Sequence, residues 1–64
     1  MVNKEDLRFI NNPDNKSQWR VNAHGVTVAE IQDGDGHMVT TKAGTFQAKN
    51  REEVFDGIMS RVNQ

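Results

Sequence analysis

The chain has 64 residues, 34% of them hydrophobic, and its eight basic and nine acidic side chains leave a formal net charge of -1. A chain this short makes a single domain, residues 1–64, that buries only about 60% of its unfolded surface, so nearly every large apolar side chain belongs in a core or an interface. The charge balance argues against an affinity built on phosphate neutralisation over the whole surface, the absence of cysteine removes disulfides and thiolate chemistry, and no apolar run matches a membrane span or a signal-peptide core.

Residues Met1 to Ile10 mix charges with Leu7, Phe9 and Ile10, and two readings compete. Asn3 can cap a helical turn with Glu5 and Asp6 near its positive end, or Leu7 and Phe9 can alternate in a short edge strand. The helical turn is preferred. The polar run from Asn11 to Lys16 holds the only proline and predicts a loop, so residues 1–17 are expected to be an N-terminal segment ending in that loop.

Residues 18–48 read as an antiparallel β-meander of three to four short strands. A two-residue turn at His24-Gly25 pairs Ala23 with Val26, Val21 with Val28 and Trp19 with Glu30. A second turn centred on Gly34-Asp35 pairs Gln32 with His37, Ile31 with Met38 and Glu30 with Val39. A third at Ala43-Gly44 pairs Thr41 with Phe46 and Val39 with Ala48. The three turns agree on one inward face bearing Trp19, Val21, Ala23, Val26, Val28, Val39, Thr41, Phe46 and Ala48.

Asn50 then reads as a helix N-cap with Glu53 in capping-box position and Glu52 in the first turn. Over residues 50–62, Val54, Phe55, Ile58, Met59 and Val62 fall in one sector at helical pitch, while Asp56, Ser60 and Arg61 fall outside it. The predicted fold class is α+β, a meander with this C-terminal amphipathic helix packed on one face. Gly57 is placed on the solvent side, where it costs about 1 kcal/mol relative to alanine.

The same registers put Arg20, Asn22, Thr27, Ala29, Ile31, Met38, Thr40, Lys42, Thr45 and Gln47 on the uncovered face. Ile31 and Met38, adjacent across the second hairpin, form its apolar spot and are the candidates for a protein-protein or homodimer contact.

The order of a meander opened by Trp19-Arg20-Val21 and a run Thr45-Phe46-Gln47-Ala48-Lys49-Asn50-Arg51-Glu52-Glu53-Val54 leading into the helix resembles small sheet-plus-helix DNA-binding modules. Such modules occur in the N-terminal arms of tyrosine integrases and in plant AP2-type domains. The resemblance covers roughly residues 18–62 and implies an uncovered sheet face laid into the major groove, nominating Arg20, Asn22, Lys42 and Gln47 as nucleic-acid contacts. The chain departs from those families in its slight acidity and in Glu30, Asp33 and Asp35 beside the proposed surface.

Asp33 and Asp35 alternate as at the start of a calcium loop, but the next ligand position holds His37 and the bidentate glutamate position holds Gly44. A hairpin turn is the better reading. His24 and His37 sit at successive turns, hence at opposite ends of the sheet, and read as exposed turn histidines rather than a shared metal or acid-base site. Ser17, Ser60 and the four threonines stand in no nucleophile context, and no glycine-rich phosphate cradle is present. No catalytic residue, cofactor or metal is expected.

Trp19 is directed under the helix as a core residue. These features predict a small non-catalytic cytoplasmic binding protein acting on a protein partner or on itself, with nucleic acid as the alternative and no membrane. The size of the reading frame, starting at its own methionine, suggests a bacterial or phage accessory protein.

Overall fold

Leu7 and Phe9 are separated by Arg8, and the chain uses that alternation for a strand. In the computed structural model, which describes residues 1–63, a single 3-10 turn over Lys4–Asp6 precedes five strands and one helix. These are β1 (Leu7–Asn12), β2 (Asn15–Ala23), β3 (Val26–Asp33), β4 (His37–Thr41), β5 (Gly44–Ala48) and α1 (Arg51–Val62). The strands form one antiparallel sheet in the order β1-β2-β3-β4-β5. The fold is α+β, with five strands where three or four were expected from the sequence.

The additional strand comes from residues 1–17, expected to be a turn and a loop. The helical turn exists, with the Asn3 N–H donating to Asp6 Oδ2 at 2.9 Å, but it ends after three residues. The asparagines that suggested a loop instead stitch a tight hairpin around Pro13-Asp14. Asn12 Oδ1 accepts from the Asp14 N–H at 2.9 Å and Asn15 Oδ1 from the Ser17 N–H at 3.0 Å. Asn11 Nδ2 donates to the Lys16 and Gln18 carbonyls, both at 3.0 Å, where the pairing jumps from Asn12↔Asn15 to Asn11↔Trp19. Short amide side chains satisfy backbone groups that regular pairing would leave open.

The β2–β3 hairpin turns at His24-Gly25 as expected, both residues having positive φ (52° and 78°) as a type I′ turn requires. Ala23 faces Val26 and Asn22 faces Thr27, but Val21 faces Ala29 rather than Val28, and Trp19 faces Ile31 rather than Glu30. Val28 is the extra residue of a β-bulge, so every later side chain of β3 lies on the opposite face from the one expected. Ala29 and Ile31 are therefore buried, and Val26 is left 62% exposed at the turn.

The next loop has an odd length. Asp33 pairs with His37 across Gly34, Asp35 and Gly36, which sets Ile31 opposite Val39 and Gln32 opposite Met38. This second one-residue difference cancels the first, and Val39 still points inward. Between β4 and β5 the turn is Lys42-Ala43, with Thr41↔Gly44 and Val39↔Phe46. The turn is the same length but sits one residue earlier than expected, which shifts the pairing by two residues and leaves the inward and outward faces unchanged.

The core joins Leu7, Val21, Ala23, Ala29, Ile31, Val39 and Ala48 of the sheet to Val54 and Ile58 of α1. Each large one contributes roughly 1.5–3 kcal/mol on burial. Phe9, Trp19, Val28, Phe46, Phe55, Met59 and Val62 pack around them. The helix starts where expected: Asn50 Oδ1 accepts from the Glu53 N–H at 2.9 Å, while Glu53 Oε1 reaches back to the Lys49 N–H at 2.9 Å. It lies over β3, β4 and β5 and touches β1 through Phe55, edge-on to Phe9 with ring centroids 5.1 Å apart.

Gly57 does not look out to solvent. A Cβ there would stand 2.3 Å from Cε2 and Cζ of Phe46, so only glycine lets that ring lie against the helix.

Candidate functional site

The face of the sheet away from α1 is built from the residues that alternate with the core. Arg8, Ile10 and Asn12 of β1, Gln18, Arg20 and Asn22 of β2, and Thr27, Glu30 and Gln32 of β3 share it with Met38 and Thr40 of β4 and Thr45 and Gln47 of β5. Two cross-strand rows run through its centre. One is Ile10–Arg20–Glu30–Thr40–Thr45 and the other Gln18–Gln32–Met38–Gln47.

Between the rows lies an open groove of about 380 Å³, lined among others by Ile10, Gln18, Arg20, Glu30, Gln32 and Met38. Ile10 and Met38 are 48% and 43% exposed at its two sides. The face is rich in amides and hydroxyls that already bond one another: Thr27 Oγ1 donates to Asn22 Oδ1 at 2.9 Å and Asn12 Nδ2 to Gln18 Oε1 at 3.0 Å. Such donors and acceptors make up most of this face around its two exposed apolar side chains.

The predicted apolar pair does not survive the register. Met38 is on this face, but Ile31 is 5% exposed in the core opposite Val39, because the bulge at Val28 rotates β3. Ile10 takes the second apolar position, and it was missed because β1 was read as a turn. Its signal was present in the alternation of Leu7 and Phe9, which forces Ile10 outward.

Of the nucleic-acid candidates, Arg20 and Asn22 alternate along β2, Gln47 lies on β5, and Lys42 is in the β4–β5 turn. They share the exposed side without meeting in one cluster. Arg20 is directly opposite Glu30 in the strand pairing.

A second, smaller cleft of about 140 Å³ opens between the sheet and the start of α1, walled by Phe9, Trp19, Ile31, Val54 and Phe55. Asp33 sits at its mouth with both oxygens engaged. Trp19 Nε1 donates to Oδ2 at 3.0 Å, and His37 Nδ1 donates to Oδ1 at 2.6 Å. A carboxylate can only accept, so the contact places the His37 proton on Nδ1.

His37 is thus half-buried and tied to Asp33, not the exposed turn histidine expected. His24 is exposed and lies 3.2 Å from Asp6 at the other end of the sheet, so the two histidines stay apart as the turn order requires. Among the described residues no group of three or more His, Asp or Glu side chains is placed to hold a metal ion. No helix among them is long and apolar enough to cross a membrane.

No protein-family model, curated protein or solved structure matches the chain.

Proposed function

We propose that this protein is a small, non-catalytic, cytoplasmic accessory protein that binds another polypeptide through the open face of its sheet. The observation that supports this is the groove flanked by Ile10 and Met38, two large apolar side chains left exposed by a chain with few of them. Amide side chains surround both, and Arg20 stands opposite Glu30. Apolar anchors inside a neutral polar rim match a peptide or protein surface better than a polyanion.

The test is a tagged pull-down from lysate of the source cells, comparing the native chain with an Ile10→Ser, Met38→Ser double variant. A protein retained by the native chain, lost by the variant and indifferent to nuclease is the expected result. Equal retention by both would reject the open face.

A second reading, nucleic-acid binding, draws on charge placement. Arg8 and Arg20 stand on the open face against one carboxylate, Glu30, while Glu52, Glu53 and Asp56 lie on α1. The resemblance to integrase-arm and AP2-type modules nominates Arg20, Asn22, Lys42 and Gln47 for base or phosphate contacts. This reading requires a mobility shift at low salt that weakens as salt rises and with Arg20→Ala; no shift at low salt would remove it.

A further inference from the structure

β1 is an edge strand guarded only at its start, where Arg8 Nη1 reaches back to the Glu5 and Leu7 carbonyls. Among the described residues nothing pairs with its outer side. It runs six residues without proline or lysine, and Ile10 stands exposed within it; edges are normally blunted by such residues.

The hairpins fix which backbone groups it offers. Ala23 and Val26 close a two-residue turn, so their N–H and C=O groups point at each other. Alternation along β2 then turns the groups of Asn22 and Arg20 toward β1, where Arg8 and Ile10 face them. The groups of Leu7, Phe9 and Asn11 therefore point away from the sheet. Leu7 is already served: its N–H donates to the Lys4 carbonyl, and its carbonyl accepts from Arg8 Nη1 at 3.2 Å. Phe9 and Asn11 remain open.

We propose that β1 pairs antiparallel with β1 of a second copy, about a two-fold axis through Ile10, so that one sheet runs through both protomers. In this register Phe9 of each copy faces Asn11 of the other, and the pair exchanges N–H and C=O bonds in both directions. The open groups satisfy one another. The two Ile10 residues meet as a non-hydrogen-bonded pair with Cα atoms about 4.5 Å apart, the closer of the two cross-strand spacings. That contact covers an isoleucine the monomer leaves exposed.

Arg8 falls opposite Asn12, so no like charges meet across the seam. An axis through Phe9 would instead set Asn11 against Leu7, whose groups are taken. α1 lies mainly over β3 to β5 and reaches β1 through Phe55 against the Phe9 ring, on the covered face of the sheet rather than along the outer backbone edge. The pairing uses the sheet's edge and shares Ile10 with the groove, whose Met38 side it leaves open.

The chain has no cysteine, so a single introduced thiol reports the seam cleanly. Facing residues of a non-hydrogen-bonded pair suit disulfide geometry. Under mild oxidation Ile10→Cys is expected to form a reducible dimer of about twice the 7.2 kDa chain mass. Met38→Cys, comparably exposed on the same face but remote from the edge, should form no disulfide-linked dimer. By light scattering at matched concentration the native chain should show the doubled mass, and Ile10→Lys the single mass with an unchanged circular dichroism spectrum.

A single mass for the native chain up to its solubility limit would overturn the proposal. So would a persistent dimer in Ile10→Lys, or cross-linking of Met38→Cys as fast as Ile10→Cys, which would place the seam on the open face.

Discussion

The corner where β5 runs into α1 and the hairpin of β2 and β3 hold their residues in place by different means. At the corner the fit is direct: the Phe46 ring lies against Gly57, and Arg61 closes the other side with its guanidinium 4.1 Å from the ring centroid and Nη1 donating to the Gly57 carbonyl at 3.2 Å. In the hairpin the position of a residue is inherited from upstream. Ile31 is in the core only because Val28 adds a residue to β3 before it. A contact fails at one place, whereas a register carries every residue beyond it.

The sharpest way to break the hairpin side is to compare Ile31 with Met38. Ile31→Ser removes a buried aliphatic side chain and leaves a hydroxyl in its place, and truncation of a buried isoleucine costs about 2–5 kcal/mol. Against the few kcal/mol expected of so small a core, that is enough to leave much of the chain unfolded. Met38→Ser should change stability by less than about 0.5 kcal/mol, as for an ordinary surface site. Urea melts of the two variants measure the difference; similar losses from both would mean that Ile31 and Met38 share an environment and that the bulge is absent.

At the corner, Gly57→Ala reads the same distinction in the sign of its effect. On an open helix face alanine would stabilise by about 1 kcal/mol. Here the added methyl meets the Phe46 ring at 2.3 Å, and overpacking of this kind typically costs about 1–3 kcal/mol. A lower melting temperature is expected. Combining it with Phe46→Leu, which withdraws the ring, should recover part of the loss, and a higher melting temperature for Gly57→Ala alone would free the helix of that contact.

The cap at the same corner is a smaller lever. Asn50→Ala removes the acceptor for the Glu53 N–H, at a cost near 1 kcal/mol. Asn50→Asp should keep most of the stability, because its carboxylate accepts the same bond at the positive end of the helix. Equal losses from the two would point away from capping.

These contrasts follow what could be read from the residues. The β5–α1 passage was legible because its signals are local: Asn50 before a stripe of Val54, Phe55 and Ile58 states both the start and the buried side of the helix. β3 was not, because nothing in Val26-Thr27-Val28-Ala29 distinguishes a bulged strand from a regular one. The inward placing of Val39 and Phe46 came out correctly because two one-residue differences, the bulge and the three-residue loop, cancel. Agreement among turns thus tested parity, not register. The open face was legible for Arg20, Asn22, Met38 and Gln47, whose parity survived, and illegible for Ile31 and Ile10, which depend on the bulge and on β1.

The smallest effect probes what ties the N-terminal turn to the hairpin. Asp6 accepts the Asn3 N–H and lies 3.2 Å from His24 Nε2. The backbone bond first, then His24 and Arg8, hold its carboxyl below the ordinary carboxylate range. A carboxyl whose folded pKa is depressed stabilises the folded state above its unfolded pKa, about 3.9, and loses that contribution as the pH falls through the folded value. Asp6→Asn should therefore lower the melting temperature near neutral pH, with the two curves converging in acid. The loosening should also be local, with faster amide exchange around His24 and Gly25 and unchanged exchange in α1. A gap that persists in acid would assign the loss to something other than the charge, and equal loosening of α1 would mean that hairpin and corner open as one unit.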